Sequence, residues 1–183
     1  MAAQSRVCDF GWKAVDFDLP GVDDRRHTLA SARGPNGLLV MFLCNHCPYV
    51  KAIRARIVRD CRELATHGIG SIAIMSNDPA EYLEDSFENM GRVAAEAGFT
   101  FPYVLDATQA VAKAYDAVCT PEFFGFNAAL ELQYHGRLDA SKSAPVEGAR
   151  RELFDALVEI ARTGKGPIEQ TAALGCSIKW KHA

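Results

Sequence analysis

Gly37-Leu38-Leu39-Val40-Met41-Phe42-Leu43-Cys44-Asn45-His46-Cys47 decides how this chain is read. Seven residues without a charge form a short continuous apolar run, as a central strand covered on both faces requires. Two thiols follow, three positions apart, and an amphipathic stretch from Tyr49 to Thr66 begins directly after them. A strand therefore delivers Cys44 and Cys47 to the first turn of a helix. There the unpaired backbone N–H groups and the positive end of the helix dipole favour a thiolate. Such placement takes a cysteine from a pKa of about 8.5 into the range ~3.5–7.5 and makes it nucleophilic at neutral pH. Cys-x-x-Cys spacing also lets one sulfur close a disulfide on the other. The residues point to thiol–disulfide chemistry.

Outward from this stretch, the helix carries Val50, Ile53, Ile57, Cys61 and Leu64 on one face and stops near Gly68. Ile69 to Met75 reads as the next buried strand, completing a β-α-β unit. Asn77-Asp78-Pro79 turns into a helical stretch expected over Ala80 to Ala97, which Gly98 closes. Phe101 to Leu105 reads as a short strand, and Thr108 to Tyr115 as a small helix capped by Asp106 or Thr108. Phe123 to Phe126 and Leu130 to His135 read as an antiparallel pair, and Glu147 to Arg162 as the last helix. On the N-terminal side, Val15-Asp16-Phe17-Asp18-Leu19 alternates like a half-buried strand that Pro20-Gly21 ends, with His27-Thr28-Leu29 as its hairpin partner. Gly164-Lys165-Gly166-Pro167 releases a C-terminal tail. This order predicts an α/β chain with a thioredoxin fold: a central mixed sheet flanked by helices, an N-terminal β-hairpin, an inserted helix and a tail. One domain over residues 1–183 is expected, since neither a linker nor a repeat interrupts the chain.

Composition excludes several classes. The 183 residues are 49% apolar and 23% charged, ordinary for a globular domain. A net charge of −3 gives no attraction to nucleic acid or an anionic membrane. No apolar run approaches the ~18–20 residues of a spanning helix, and Met1 to Phe10 lacks the apolar core of a secretory signal. A cytoplasmic location is expected, where Cys-x-x-Cys is catalytic or metal-binding rather than a staple. Structural zinc would need a second ligand pair, and His27, His67, His135 and His182 are scattered singly. No Gly-rich phosphate loop follows a strand, so no cofactor is expected.

Within the pair, the first thiol of such a motif usually projects into solvent, which would make Cys44 the attacking group and Cys47 the resolving one. His46 either stabilises the thiolate as a cation or is an exposed polar residue. Lys51 and Arg54 either add positive potential or form ordinary helix surface. Thr120-Pro121 opens an apparent strand, which calls for a cis bond or an edge position. A cis proline beside the thiols would leave the preceding backbone free to pair with an extended thiol substrate. Cys61 reads as a small buried hydrophobe, and Cys8 has no recognisable role. Cys176 is a resolving thiol on a mobile tail or a free tail cysteine. Cys119 is a further thiol of the site or a packed one.

Five segments carry a family resemblance: Val15 to Leu19, Cys44 to Val50, Ser76-Asn77-Asp78, Thr120 to Phe124, and Gly175-Cys176-Ser177-Ile178-Lys179-Trp180-Lys181. With them the chain resembles the redoxin branch of the thioredoxin-like superfamily, in its peroxiredoxin-like subgroup of the alkyl hydroperoxide reductase–thiol-specific antioxidant type. The resemblance implies the thioredoxin fold, Cys44 and Cys47 as the redox pair, and Pro121 as a cis proline packed against them. It also raises the standing of Cys176 as a resolving thiol. Two departures stand out. Leu43 replaces the Trp that usually precedes the first cysteine of thioredoxins, and Asn45-His46 replaces their Gly-Pro. Peroxiredoxins usually carry Thr or Ser three residues before the peroxide-attacking cysteine and Pro four further back. With that cysteine aligned on Cys47, these positions hold Cys44 and Val40.

A thiol–disulfide oxidoreductase is thus the first expectation, with a protein or small-molecule disulfide as substrate and an unidentified thiol as reductant. A thiol peroxidase acting on hydroperoxides is the second, passing through a sulfenic acid. A copper(I) carrier is the third, using the two thiolates and a histidine such as His135.

Overall fold

The computed structural model describes residues 2–80 and 82–181. Its elements run β1 (Ala2–Gln4), β2 (Asp18–Pro20), β3 (Arg26–Thr28), α1 (Leu29–Ala32), β4 (Gly37–Phe42), α2 (Pro48–Thr66) and β5 (Ile69–Met75). A 3-10 turn at Leu83–Asp85 leads into α3 (Phe87–Ala97), followed by β6 (Tyr103–Leu105), α4 (Ala110–Ala114) and β7 (Cys119–Thr120). The chain continues through β8 (Glu122–Asn127), β9 (Leu132–Gly136), α5 (Glu152–Thr163) and β10 (Leu174–Ser177).

The apolar run is the middle of a mixed central sheet. β4 pairs antiparallel with β8, which pairs antiparallel with β9; β5 pairs parallel with β6. β5 lies beside β4, where the Leu43 N–H donates to the Ile74 carbonyl at 3.0 Å. Period-two alternation divides β4 between two cores. Leu39, Met41 and Leu43 pack with Val50, Ile53, Ile57 and Leu64 of α2 and Leu153, Leu157 and Ile160 of α5. Leu38, Val40 and Phe42 pack on the other face with Phe17, Leu19, Leu29, Tyr115 and Phe124. Each such fully buried side chain contributes about 1.5–3 kcal/mol, which fixes the strand that ends at Cys44. Gly125 lets α5 approach β8: a Cβ there would stand 2.8 Å from Leu157 Cδ2.

The hairpin expected near the N-terminus is β2–β3, in register Leu19 with His27. Three helices begin later than their periodicity suggests. Residues from Ala80 onward do not open α3, because Asp78 Oδ1 accepts the Ala80 N–H and the Tyr82 N–H donates to the Pro79 carbonyl, a run of turns. Ser86 caps the helix at Asn89 instead. α4 starts at Ala110 rather than Thr108, with Asp106 Oδ2 accepting the Ala112 N–H at 2.9 Å. α5 starts at Glu152 rather than Glu147, since Gly148 takes a left-handed φ of 67°.

The largest departure is the C-terminal segment. It is not a free tail: β10 lies between β1 and β7 in a second, antiparallel three-stranded sheet. Among the described residues no helix is long and apolar enough to cross a membrane.

Candidate active site

Cys47 is the N-cap of α2, and Pro48 stands at the first helical position, where its missing N–H costs nothing. The chain therefore turns from strand to helix within Cys44–Cys47. Three sulfurs meet at this turn. Cys44 Sγ is 3.0 Å from the Thr120 hydroxyl, Cys47 Sγ is 3.2 Å from the Thr120 carbonyl, and Cys176 Sγ is 2.7 Å from Cys47 Sγ. The Thr120–Pro121 bond is cis, as the sequence suggests. Thr120 thus touches both cysteines of the motif, and β10 brings the third to the same point.

Charge divides unevenly between the two thiols. The Cys44 thiol donating to Cys47 is the main cause that takes Cys47 down to about 5, against the penalty of burial. The Cys176 thiol and the backbone N–H groups of Val50 and Cys176 lower it further. Val50 is the third residue of α2, so that part of the lowering comes from the helix terminus. Cys44 is pushed up, first by that hydrogen bond to Cys47, then by burial and by the charge of Asp85. Cys176 rises to about 12 through burial and its bond to Cys47.

The electrostatics favour the second cysteine of the pair over the first. Cys44 is 1% exposed rather than projecting into solvent, Cys47 is 0% exposed, and it is Cys47 whose thiol is lowered. The physical reason is local. Cys47 alone faces the amides of the helix terminus and two S–H donors, whereas Cys44 faces a carboxylate.

That carboxylate, Asp85, escapes sequence reasoning. It is fully buried and accepts four hydrogen bonds: from the Asn45 and His46 N–H groups at 2.7 and 3.2 Å, His46 Nδ1 at 2.6 Å and Asn77 Nδ2 at 2.9 Å. Asn45 completes the turn by accepting from the Tyr103 hydroxyl at 3.0 Å. The inserted segment thereby clamps the two residues between the cysteines. His46 is not exposed: its ring stacks on Tyr82 at 3.9 Å, and Asp85 rather than a sulfur holds its Nδ1. Lys51 is exposed helix surface, and Arg54 donates to the Asn45 carbonyl at 3.4 Å.

The remaining candidates separate clearly. Cys61 is a buried core residue, its thiol raised to about 12. Cys8 is likewise raised to about 12, mainly by burial. Cys119 is fully buried against Glu122 and pushed upward, so it is a packed thiol. Val40 belongs to the opposite core and offers the site nothing. His135 does not join the thiols, because its Nε2 lies 2.7 Å from Glu122 Oε1 and its ring stacks on Phe124. The copper carrier loses its histidine there. The group that could hold a cation among the described residues is Cys44, His46 and Asp85, within 4.8 Å of one another. It supplies one soft ligand, and both oxygens of Asp85 are already engaged by N–H donors, so it does not suit copper(I).

The AhpC/TSA family profile matches residues 10–140 of the chain. Among solved structures, an uncharacterized conserved protein from Geobacillus kaustophilus is 40% identical with a TM-score of 0.93, over 100% of this chain and 98% of its own. Peroxidoxin BcpB from Mycobacterium tuberculosis is 14% identical with a TM-score of 0.63, over 86% of this chain and 97% of its own. A thiol:disulfide interchange protein of the thioredoxin family from Chlorobium tepidum is 19% identical with a TM-score of 0.62, over 87% and 99%. The last two likenesses are of fold, and they identify the architecture as the thioredoxin fold. No curated protein sequence matches the chain.

Proposed function

Since this chain belongs to the AhpC/TSA family of thioredoxin-fold redoxins, we propose that it is a thiol–disulfide oxidoreductase cycling Cys44 and Cys47 between dithiol and disulfide. The observation that carries the reading is geometric: Cys44 and Cys47 both meet Thr120 at the strand-to-helix turn, with Cys47 at the N-cap of α2, where its thiol is lowered to about 5. Cys47 is the nucleophile: its thiolate attacks a substrate sulfur, forming a mixed disulfide and releasing one thiolate, which takes a proton. Cys44 then loses its proton and attacks the Cys47 sulfur, so the second substrate thiol takes that proton and leaves, and the Cys44–Cys47 disulfide remains. Thr120 supports Cys44 through its hydroxyl, and Pro121 fixes Thr120 beside both sulfurs. His46 and Asp85 hold the turn. An external thiol reductant restores the dithiol. This chemistry belongs in a reducing compartment such as the cytoplasm.

A thiol peroxidase is the second reading, favoured by one observation: the thiolate falls on Cys47, the position that aligns with the peroxide-attacking cysteine. Against it, Cys44 and Val40 stand where Thr and Pro are usual. The two readings part in a single experiment. Fully reduced protein is given stoichiometric hydrogen peroxide or a low-molecular-weight disulfide, and the product is mapped by peptide mass. Rapid Cys44–Cys47 closure by the disulfide with slow peroxide consumption supports exchange. Rapid peroxide consumption through a trapped sulfenic acid on Cys47 supports the peroxidase.

A further inference from the structure

The backbone of Thr120, expected to be open to a substrate strand, is occupied by the chain itself. β10 pairs antiparallel with β7, Cys176 opposite Thr120 and Ser177 opposite Cys119. Gly175 makes the approach possible, since a Cβ at that position would stand 2.1 Å from the Thr120 carbonyl oxygen. The strand is held along its length. Ser5 and Ala173 exchange hydrogen bonds of 2.9 Å, and the Ile178 N–H donates to the Val118 carbonyl at 3.1 Å. Beyond it, the Lys179 carbonyl accepts from the Asp78 N–H and Gln109 Nε2, both at 2.8 Å, and its N–H donates to Asn77 Oδ1. Ile178 is buried in the core. On this seat Cys176 puts its sulfur 2.7 Å from that of Cys47.

We propose that β10 is a built-in occupant of the substrate-strand position: Cys176 is a second resolving thiol for Cys47, and the strand restricts the enzyme to low-molecular-weight disulfides by closing the Thr120 edge to polypeptides. The inference rests on the exchange reading above and adds its substrate class. A polypeptide disulfide needs that edge, and both motif cysteines are 1% exposed or less. A small disulfide needs only an opening at the sulfur.

The steps balance. The Cys47 thiolate attacks RS–SR, forming Cys47–S–S–R and releasing RS⁻, which takes a proton. Cys176 gives up its proton and attacks the Cys47 sulfur, so the Cys47–Cys176 disulfide forms and the second RS⁻ leaves as RSH. Cys44 can then attack Cys47, releasing the Cys176 thiolate, which takes the Cys44 proton. The chain ends two electrons oxidised with Cys44–Cys47 closed, and an external pair of thiols reduces it. Cys47 is common to both disulfides.

The test uses reduced full-length chains, oxidised glutathione as the small disulfide and insulin as the protein disulfide, with rapid acid quenching and peptide mapping. Cys44→Ser should still close an intramolecular Cys47–Cys176 disulfide and release both halves of the glutathione. Cys176→Ser should still form Cys44–Cys47, which reports on the exchange reading separately. Wild type should react with oxidised glutathione at least about tenfold faster than with insulin, the equivalent of about 1.4 kcal/mol. Gly175→Val, which forces β10 from Thr120, should narrow that ratio. A stable Cys47–glutathione adduct in Cys44→Ser overturns the resolving role, whether or not Gly175→Val folds. Reaction with insulin as fast as with glutathione in wild type overturns the restriction.

Discussion

Replacing Cys44 with alanine removes the largest influence on Cys47, and its effect can be worked out from the site. The Cys47 value of about 5 lies roughly three to four units below an ordinary thiol, equivalent to about 5 kcal/mol of preference for the thiolate. A hydrogen bond to a charged acceptor contributes about 1.5–3 kcal/mol, with a thiol donor at the lower end, which is about one to two units of pKa. Cys44→Ala should therefore titrate Cys47 at about 6–7, with the helix terminus and Cys176 retaining the rest of the effect. Thiolate ultraviolet absorbance of the reduced protein, followed across pH, is the assay. The signal is clean because Cys8, Cys61 and Cys176 lie up to about 12 and Cys119 is also raised. An unchanged titration at about 5 would refute the reasoning, since the thiolate would then owe nothing to its partner.

Three further outcomes are expected. Cys47 is depressed on folding, so its contribution to stability is complete above the unfolded value of about 8.5 and is lost as pH falls through about 5; the gap in thermal stability between reduced wild type and Cys47→Ser should widen as pH rises across that window. Asp85→Asn turns one acceptor oxygen toward donors and should cost about 2–4 kcal/mol in denaturant unfolding, while Cys44, relieved of a neighbouring charge, titrates lower than in wild type. Leu157→Ala, at a fully buried position where α5 meets Gly125, should cost about 2–5 kcal/mol and leave the Cys47 titration in place.

Residues whose roles are local were legible in the sequence. Leu38 to Leu43 announce a doubly covered strand by lacking any polar side chain, and Val50, Ile53, Ile57, Cys61 and Leu64 mark the buried face of α2 by their spacing. Cys44 and Cys47 are legible as a pair for the same reason, and Thr120-Pro121 by the awkwardness of a proline entering a strand. The helix starts were not, because Asp78, Pro79 and Gly148 redirect the backbone inside stretches whose apolar spacing still looks helical. Asp85 lies 40 positions from Asn45, and an acidic residue before a helix carries no sign that it will be buried under another loop. β10 was hidden because Leu174-Gly175-Cys176-Ser177 has no periodicity of its own. Its strand character comes from Thr120 and from Ala2 to Gln4, at the far end of the chain. The burial of Cys44 was hidden with it: the usual exposure of the first cysteine gives way once Thr120 lies against its sulfur.

Cys47, rather than Cys44, is expected to carry the reactive thiolate. Reduced wild-type protein treated at neutral pH with less than one equivalent of iodoacetamide, then mapped by peptide mass, tests it directly. The label is expected on Cys47, with Cys44 modified only after Cys47 is consumed. Label appearing first on Cys44 would contradict it.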